Sequence, residues 1–404
     1  MSMASPSSRV RARVQDAAGI GDPLAYHTPG DGFFFSHPGR TVVGIGAASS
    51  AVVPAGPDQI SRAGSIAREL LAAVAWDGDV APCVVGALPF DGRSPATLFV
   101  PRVTILRSAN ETRLVFVGDD ATLPEPADVA RTSAPGVRLT PVPEPGSYVT
   151  AVGRARELIA AGELRKVVLA RMMIAHADAP YDRRALLARL RDAEPDAYVF
   201  GASGFIGASP ELLVARAGRD LRAKPLAGTI RRGDDDAASA RALLSSPKDR
   251  AEHALVVEAV RAALEPWCER IDVPSEPGLL HTSTLWHLAT EVTGALRMPV
   301  PSALELAAQL HPTPAVAGTP RDAAMRAIAD LEAIDRTLYA GTVGWMDARG
   351  DGEWAVALRC AEVQGSLALV FAGAGIVAAS EPEAELAETD AKMRAMLDAL
   401  GYQT

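Results

Sequence analysis

Apolar positions along this chain repeat with two periods, and the switches between them outline the fold. Gly32-Phe33-Phe34-Phe35-Ser36, Thr41-Val42-Val43-Gly44-Ile45, Cys83-Val84-Val85-Gly86-Ala87 and Ala96-Thr97-Leu98-Phe99-Val100 are short β-type runs punctuated by Gly, Pro and Asp. One helix, about 59–74, interrupts them. Segment 123–146 is dense in Pro and poor in apolar residues, so it reads as a connection between lobes. A boundary near 145 then separates an N-terminal lobe, 21–145, from a larger region, 146–404. Residues 1–20, polar and without period, read as a mobile leader.

The larger region opens with an Ala-rich helix over 149–162, where Gly162 supplies the C-terminal cap. Lys166-Val167-Val168-Leu169-Ala170-Arg171-Met172-Met173-Ile174 follows as a buried strand. A polar helix near 183–192 leads to strands over 197–206, 211–216 and 221–229, the last two joined by Ala217-Gly218-Arg219-Asp220 as a hairpin. Asp234-Asp235-Asp236 reads as a solvated loop. Ser246-Pro247-Lys248-Asp249 starts a long helix that ends before Pro266, and 339–346, 353–363 and 367–377 read as an antiparallel meander. Ser380 and Glu383 have capping-box spacing, with Pro382 in the first turn of a final helix. That helix puts Leu386, Met393, Met396, Leu397 and Leu400 on one face, flanked by Glu385, Glu388 and Lys392. Strands arriving in runs, joined by hairpins, predict an α+β fold with large antiparallel sheets in two lobes of one unit.

Composition narrows the partners. A net charge of −9, with 40 basic residues spread along the chain and no basic stripe with interleaved aromatics, disfavours nucleic acid and anionic membrane and leaves a small molecule. The three cysteines, Cys83, Cys268 and Cys360, are far apart and suit a reducing cytoplasm. No run of about 18 apolar residues and no apolar signal core is present, so no spanning segment is expected.

Several charges stand in apolar surroundings. Glu252 shares a 3.6-residue stripe with Leu255, Val256, Ala259, Val260 and Ala263, where an ionised carboxylate needs a cation, either a side chain or a metal. If Glu252 met Glu385 and Glu388, their repulsion would call for a hard cation such as Mg²⁺. Lys166, at the start of its strand, either reaches water there or is desolvated into a base; the strand-end reading is the simpler. Glu211 follows Ser209-Pro210 beside Leu212 and Leu213, which would raise its pKa and make it a proton donor. Arg359, inside Val356-Ala357-Leu358-Arg359-Cys360-Ala361, calls for a bidentate carboxylate from the protein or a ligand. Gly373-Ala374-Gly375 reads as a turn whose amides could approach an anion; its loose dinucleotide fingerprint is rejected, because no parallel strand follows.

The same residues carry a resemblance. Ser209-Pro210-Glu211-Leu212-Leu213, Pro225-Leu226-Ala227-Gly228-Thr229, Lys248-Asp249-Arg250-Ala251-Glu252-His253, Thr284-Leu285-Trp286-His287-Leu288, His311-Pro312-Thr313-Pro314-Ala315, Arg359-Cys360 and 372–392 stand in the order and spacing of the chorismate-utilising enzymes. The chain is most similar to the isochorismate synthases of siderophore pathways, from about residue 20 onward. The resemblance implies Mg²⁺-dependent conversion of chorismate to isochorismate, by water attack at C2 and loss of the C4 hydroxyl. It implies that Lys166 activates the water and Glu211 protonates the departing hydroxyl. Glu252 and Glu388 would hold the metal directly or through water, with Glu385 in support. Gly228, Thr229, His287, Tyr339, Arg359, Gly375 and Lys392 would line the substrate site.

Within the family, anthranilate synthases have glutamine where Lys166 stands, and aminodeoxychorismate synthases have lysine where Ala227 stands. Salicylate synthases carry threonine at the place of Ala315 and tyrosine at that of Tyr339. Ala315 thus matches enzymes that stop at isochorismate, while Tyr339 departs from some of them and keeps salicylate synthase as the alternative. The resemblance further implies a cytoplasmic monomer serving catecholate siderophore supply rather than menaquinone.

Overall fold

Consecutive residues of the strands are shared between two cores, which explains why their sequences run together instead of alternating. In the computed structural model, which describes residues 10–109, 111–130 and 135–402, Phe33 and Phe35 enter one core and Phe34 the other. Val42 and Val43 divide the same way, as do Phe205 and Ile206. Side chains alternate across a sheet, so a sheet buried on both faces needs apolar residues at every position.

The strands of the described residues join into one hydrogen-bonded network of 20, beside a separate three-stranded sheet of Leu226–Arg231, Leu285–Ala289 and Gly278–His281. Among the described residues, pairing is antiparallel apart from Val10–Asp16 with Val74–Ala75. The α+β class with large antiparallel sheets is the fold observed. Phe33–His37 pairs with Tyr198–Ala202, and Cys83–Leu88 with Thr342–Asp347, so sheet pairing runs across residue 145.

Several expectations need correction. Val10–Asp16 is a strand rather than part of a leader: Ala12 is buried, and Arg13 lies over the Phe116 ring; residues 1–9 lie outside the described residues. The Pro-dense connection contains the strand Arg138–Val142, paired with the end of Lys166–His176. Asp235 caps a helix, Asp236–Ser245, and Asp236 accepts from the Trp286 indole, so this acidic run is structural rather than only solvated. The predicted hairpin is present, with Ala217 opposite Asp220.

The expected meander is instead two hairpins separated by a step. Gly352–Val356 pairs with Thr342–Asp347 and with Leu212–Ala217, whereas Cys360–Gln364 pairs with Leu367–Ile376 and with Phe205–Ser209. Two adjacent ribbons thus break at the same level, one at Pro210-Glu211 and the other at 357–359. Proline removes a ladder donor at the first break, and Arg359 takes a left-handed φ of +50° at the second. Two bonds cross the join: Val356 N–H donates to the Glu211 carbonyl at 3.1 Å and Ala208 N–H to that of Arg359 at 3.2 Å. Such a step turns two charged side chains out of the ladder and toward one cleft.

Candidate active site

Lys166 is 1% exposed, so the strand-end reading fails. Its strand, Lys166–His176, is covered on one edge by Leu367–Ile376 and on the other by Gly318–Thr319, with Thr319 opposite Lys166. The helix Pro247–Leu264 lays Glu252 across it, with Nζ 2.9 Å from Oε1. Glu252 lies on the inner stripe as expected, beside buried Val256 and Val260. Gly375 makes room for this pair: a Cβ there would stand 2.3 Å from Glu252 Oε1 and 3.0 Å from Lys166 Cε. Gly373 and Gly375 are therefore strand residues, not a turn, and their use is space rather than amide donation.

Glu211 is 2% exposed. Its N–H donates to Ser209 Oγ at 3.2 Å, and its carboxyl is met by the backbone N–H of Leu226. Burial pushes its pKa up to about 8, against weaker pulls from Lys166, the Leu226 amide, Arg359 and Lys392. At neutral pH this carboxyl keeps its proton.

Thr229 and His287 face each other across the small sheet. Thr229 Oγ1 lies 2.9 Å from His287 Nδ1, and Arg359 Nη2 lies 3.1 Å from Nε2. A guanidinium only donates, so Nε2 is the acceptor and Nδ1 carries the proton toward Thr229. Burial, helped by the Arg359 charge, drives the imidazole pKa well below its usual value and keeps the ring neutral. Gly228, just before Thr229, sits at φ +78° where the register shifts, and a Cβ would meet Asp249 Cβ at 2.9 Å. Arg359 has no carboxylate ion-pair partner among the described residues; its contact is His287.

The final helix, Pro382–Leu400, supplies Glu388 and Lys392, paired at 2.6 Å, and Lys392 Nζ also donates to the Gly373 carbonyl at 2.8 Å. Its N-terminus is not the expected capping box. Glu381 is the N-cap and makes no side-chain cap bond, while buried Ser380 accepts from Val377 N–H at 3.1 Å and donates to the Glu385 carboxylate. Glu385 is 2% exposed and meets Lys248 Nζ at 2.9 Å.

These elements border a single cleft. Glu211, Gly228, Thr229, Glu252, His287, Ala315, Tyr339, Arg359, Gly375, Glu388 and Lys392 all line it. Lys166 does not; its side chain lies behind Gly375 and Glu252, where its charge is the strongest electrostatic pull on Glu211. Glu385 faces an adjoining cavity that it shares with Glu388, Lys248 and Asp249. The Tyr339 ring stacks on Phe371, centroids 5.4 Å apart.

The family model for chorismate binding enzymes matches residues 22–401. The chain belongs to this family. A MenF protein of Mycobacterium tuberculosis is 47% identical over 342 residues, covering 80% of this chain and 87% of that protein. The isochorismate synthase DhbC of Bacillus subtilis is 39% identical over 392 residues, covering 94% and 95%. The crystal structure of DhbC from Bacillus anthracis, a candidate 2,3-dihydroxybenzoate-specific isochorismate synthase, superposes with a TM-score of 0.81 at 39% identity, covering 94% and 99%.

In this chorismate binding enzyme the acids expected at a metal do not form one cluster. Among the described residues, no three His, Cys, Asp or Glu side chains stand close enough to hold one ion. Each carboxylate has its own ammonium instead: Glu252 has Lys166, Glu388 has Lys392 and Glu385 has Lys248. Glu252 and Glu388 nevertheless line the same cleft and offer only carboxylate oxygens, the donor type of a hard cation.

Sequence reasoning missed Lys248 as the partner of Glu385, and missed Arg336 altogether. Arg336 lines the cleft and pairs with Glu332, both nearly buried. The i,i+4 spacing of Glu332 and Arg336 was the available signal, but such spacing is common on wet helix faces too.

Proposed function

We propose that the protein is an isochorismate synthase, which adds water at C2 of chorismate and releases the C4 hydroxyl, for 2,3-dihydroxybenzoate and catecholate siderophore synthesis. The observation that carries this reading is a buried Glu211, its pKa raised by burial, on a cleft lined by Arg359 and Lys392, with buried Lys166 behind Glu252 and near enough for its charge to act on Glu211. The relatives support it through the isochorismate synthase named DhbC, similar over 94% of the chain.

Arg359, without a protein carboxylate, and Lys392 would bind the two carboxylates of the substrate. Lys166 would act as the base that takes a proton from water as the oxygen bonds to C2. The ring double bonds shift, the C4–O bond breaks, and Glu211 delivers its proton to the departing oxygen. One water enters and one leaves, so the change is an isomerisation. The proton then returns from the Lys166 ammonium to the Glu211 carboxylate, restoring both. Neutral His287 fixes the Arg359 fork and, through Nδ1–H, the Thr229 hydroxyl.

The donor chemistry of Glu252 and Glu388 fits Mg²⁺, with Glu385 behind them. Bound there, the ion would neutralise these carboxylates and anchor a substrate carboxylate. A cytoplasmic monomer completes the proposal. Its three cysteines are free and buried, and no described helix is long and apolar enough to cross a membrane.

Chromatography after incubation with chorismate and Mg²⁺ tests the reading. Isochorismate is the expected product. Salicylate with pyruvate, or unchanged chorismate, would overturn it, and anthranilate on adding ammonium would overturn the water-activating role of Lys166.

A further inference from the structure

The strand that carries Lys166 lacks a backbone partner along part of one edge. Gly318–Thr319 pairs with it at Lys166 and Val167, and Val168 N–H donates to the Ala317 carbonyl at 2.8 Å. Pairing resumes with Arg138–Val142 only from Met172. Between these stretches the Val168 carbonyl and the Ala170 amide face inward with no strand to meet them.

An ion pair of side chains fills the gap. Arg336 Nη2 donates to the Val168 carbonyl at 2.8 Å, and Glu332 Oε1 accepts from Ala170 N–H at 2.7 Å. Arg336 Nε reaches Glu332 Oε2 at 2.9 Å, and Nη2 closes the fork on Oε1. Both side chains are nearly buried, at 3% and 4% exposure. The guanidinium therefore copies one rung of a β-ladder.

The same guanidinium makes a further contact that the ladder does not need. Nη1 donates to the Val316 carbonyl at 2.7 Å, one residue after Ala315 of the cleft wall. The backbone carbonyl of Arg336 accepts from Tyr339 N–H at 2.7 Å, and its guanidinium lies over the Phe90 ring, 4.2 Å from the centroid. One side chain thus ties the base-bearing strand to the Ala315 wall while its own backbone holds Tyr339.

We infer that Arg336 is a positioning residue for the reaction, setting the separation between Lys166 and the Ala315 wall of the cleft. It acts through backbone carbonyls and not on the reacting atoms. A planar fork can donate to Glu332, Val168 and Val316 together, whereas an ammonium has three donors on one atom and cannot span them. A displacement of about 1 Å between reacting groups costs on the order of 100-fold in rate.

The assay rests on the isochorismate synthase reading, and the test separates the two. In Arg336→Lys, kcat for chorismate should fall about 10- to 100-fold while KM stays within about threefold. Hydrogen exchange at the Ala170 amide should quicken. Wild-type kcat in the folded variant would reduce Arg336 to a structural role, and a rise confined to KM would make it a binding residue; either overturns the inference. If Arg336→Lys does not fold, Phe90→Leu decides. It removes the ring beneath the guanidinium while leaving the Arg336 hydrogen bonds in place, and should lower kcat a few-fold at constant KM; unchanged kcat there overturns the inference. A wild type that leaves chorismate untouched would sink the functional reading alone. The Ala170 exchange then still tests the brace, and an unchanged rate would reject it.

Discussion

Glu211 and Glu385 are equally buried, at 2% exposure, yet the two sides of the site treat them differently. At the step between the sheets Glu211 touches an amide, and its cations act from a distance, so burial dominates and the carboxyl stays protonated. On the helix side burial and the charge of Glu388 also raise the Glu385 pKa, but Glu385 touches Lys248 and the Ser380 hydroxyl, which pull against that rise. Burial raises both carboxyls; what differs is the contact that opposes it, a backbone amide at Glu211 and an ammonium with a hydroxyl at Glu385. The step sets one buried carboxyl against cations at a distance, and the helix side sets its carboxyls against cations in contact.

The harshest way to break this division is to remove the lysine that borders both sides. Lys166→Met should abolish turnover, by about 10⁴-fold or more, while equilibrium binding of chorismate persists in fluorescence titrations. Unchanged turnover would reassign the base. Glu211→Gln should lower kcat by about 10²- to 10⁴-fold. In the wild type, kcat/KM should fall as pH rises through about 8, where Glu211 gives up its proton. The Gln variant should lack that limb. The stability sign follows from the same shift. The folded-state pKa lies above the unfolded value near 4.5, so the folded protein binds the extra proton between them. Stability from this group is full below about pH 4.5 and declines toward pH 8, and chemical denaturation of Glu211→Gln should show a flatter pH dependence over that window.

Much of the helix side was legible, because its signals are local. The 3.6-residue stripe placed Glu252 inward, and the flank of the last helix placed Glu388 beside Lys392, without knowledge of any neighbour. The step was less so. Val356 to Ala361 reads as uninterrupted strand, and only pairing with a ribbon broken at Pro210 shows why Arg359 leaves the ladder. Lys166 was misplaced for a similar reason: the strand Gly318–Thr319 that closes over it lies some 150 residues further along the chain. Gly375 looked like a turn glycine because sequence gives no sight of the Glu252 oxygen that needs its space. The raised Glu211 pKa survived because it follows from the apolar residues beside it, and the α+β class because it follows from the order of strand runs and hairpins.

A milder test acts on the helix side alone. Lys248→Met leaves Glu385 buried beside Glu388 with no ammonium in contact. Lys248 is partly exposed, so solvent screening limits the loss to about 1–2 kcal/mol. Thermal denaturation should show a lower Tm at neutral pH, with the deficit shrinking in acid as Glu385 takes up a proton. If Mg²⁺ is held by these carboxylates, adding it should raise the Tm of the variant more than that of the wild type. Equal shifts would separate Lys248 from the cation.

The smallest change probes why the last helix starts where it does. A Ser380–Glu383 capping box would make the serine a local device, and its loss would cost the helix end without affecting Glu385. The observed hydroxyl works across the turn instead, accepting from Val377 N–H and donating to the Glu385 carboxylate. Ser380→Ala should then cost about 1–2 kcal/mol, because it strands a buried amide and removes a donor from a buried charge. Loss of that donor pushes the Glu385 pKa further up, so the folded protein holds its extra proton to higher pH. The destabilisation should therefore be smallest in acid, where the carboxyl is neutral, and grow as pH rises toward neutrality. Glu383→Gln is the control: Glu383 belongs only to the rejected capping box, so a Tm within about 1 °C of wild type is expected. A large loss in Glu383→Gln with little in Ser380→Ala would restore the capping box and remove Ser380 from the support of Glu385.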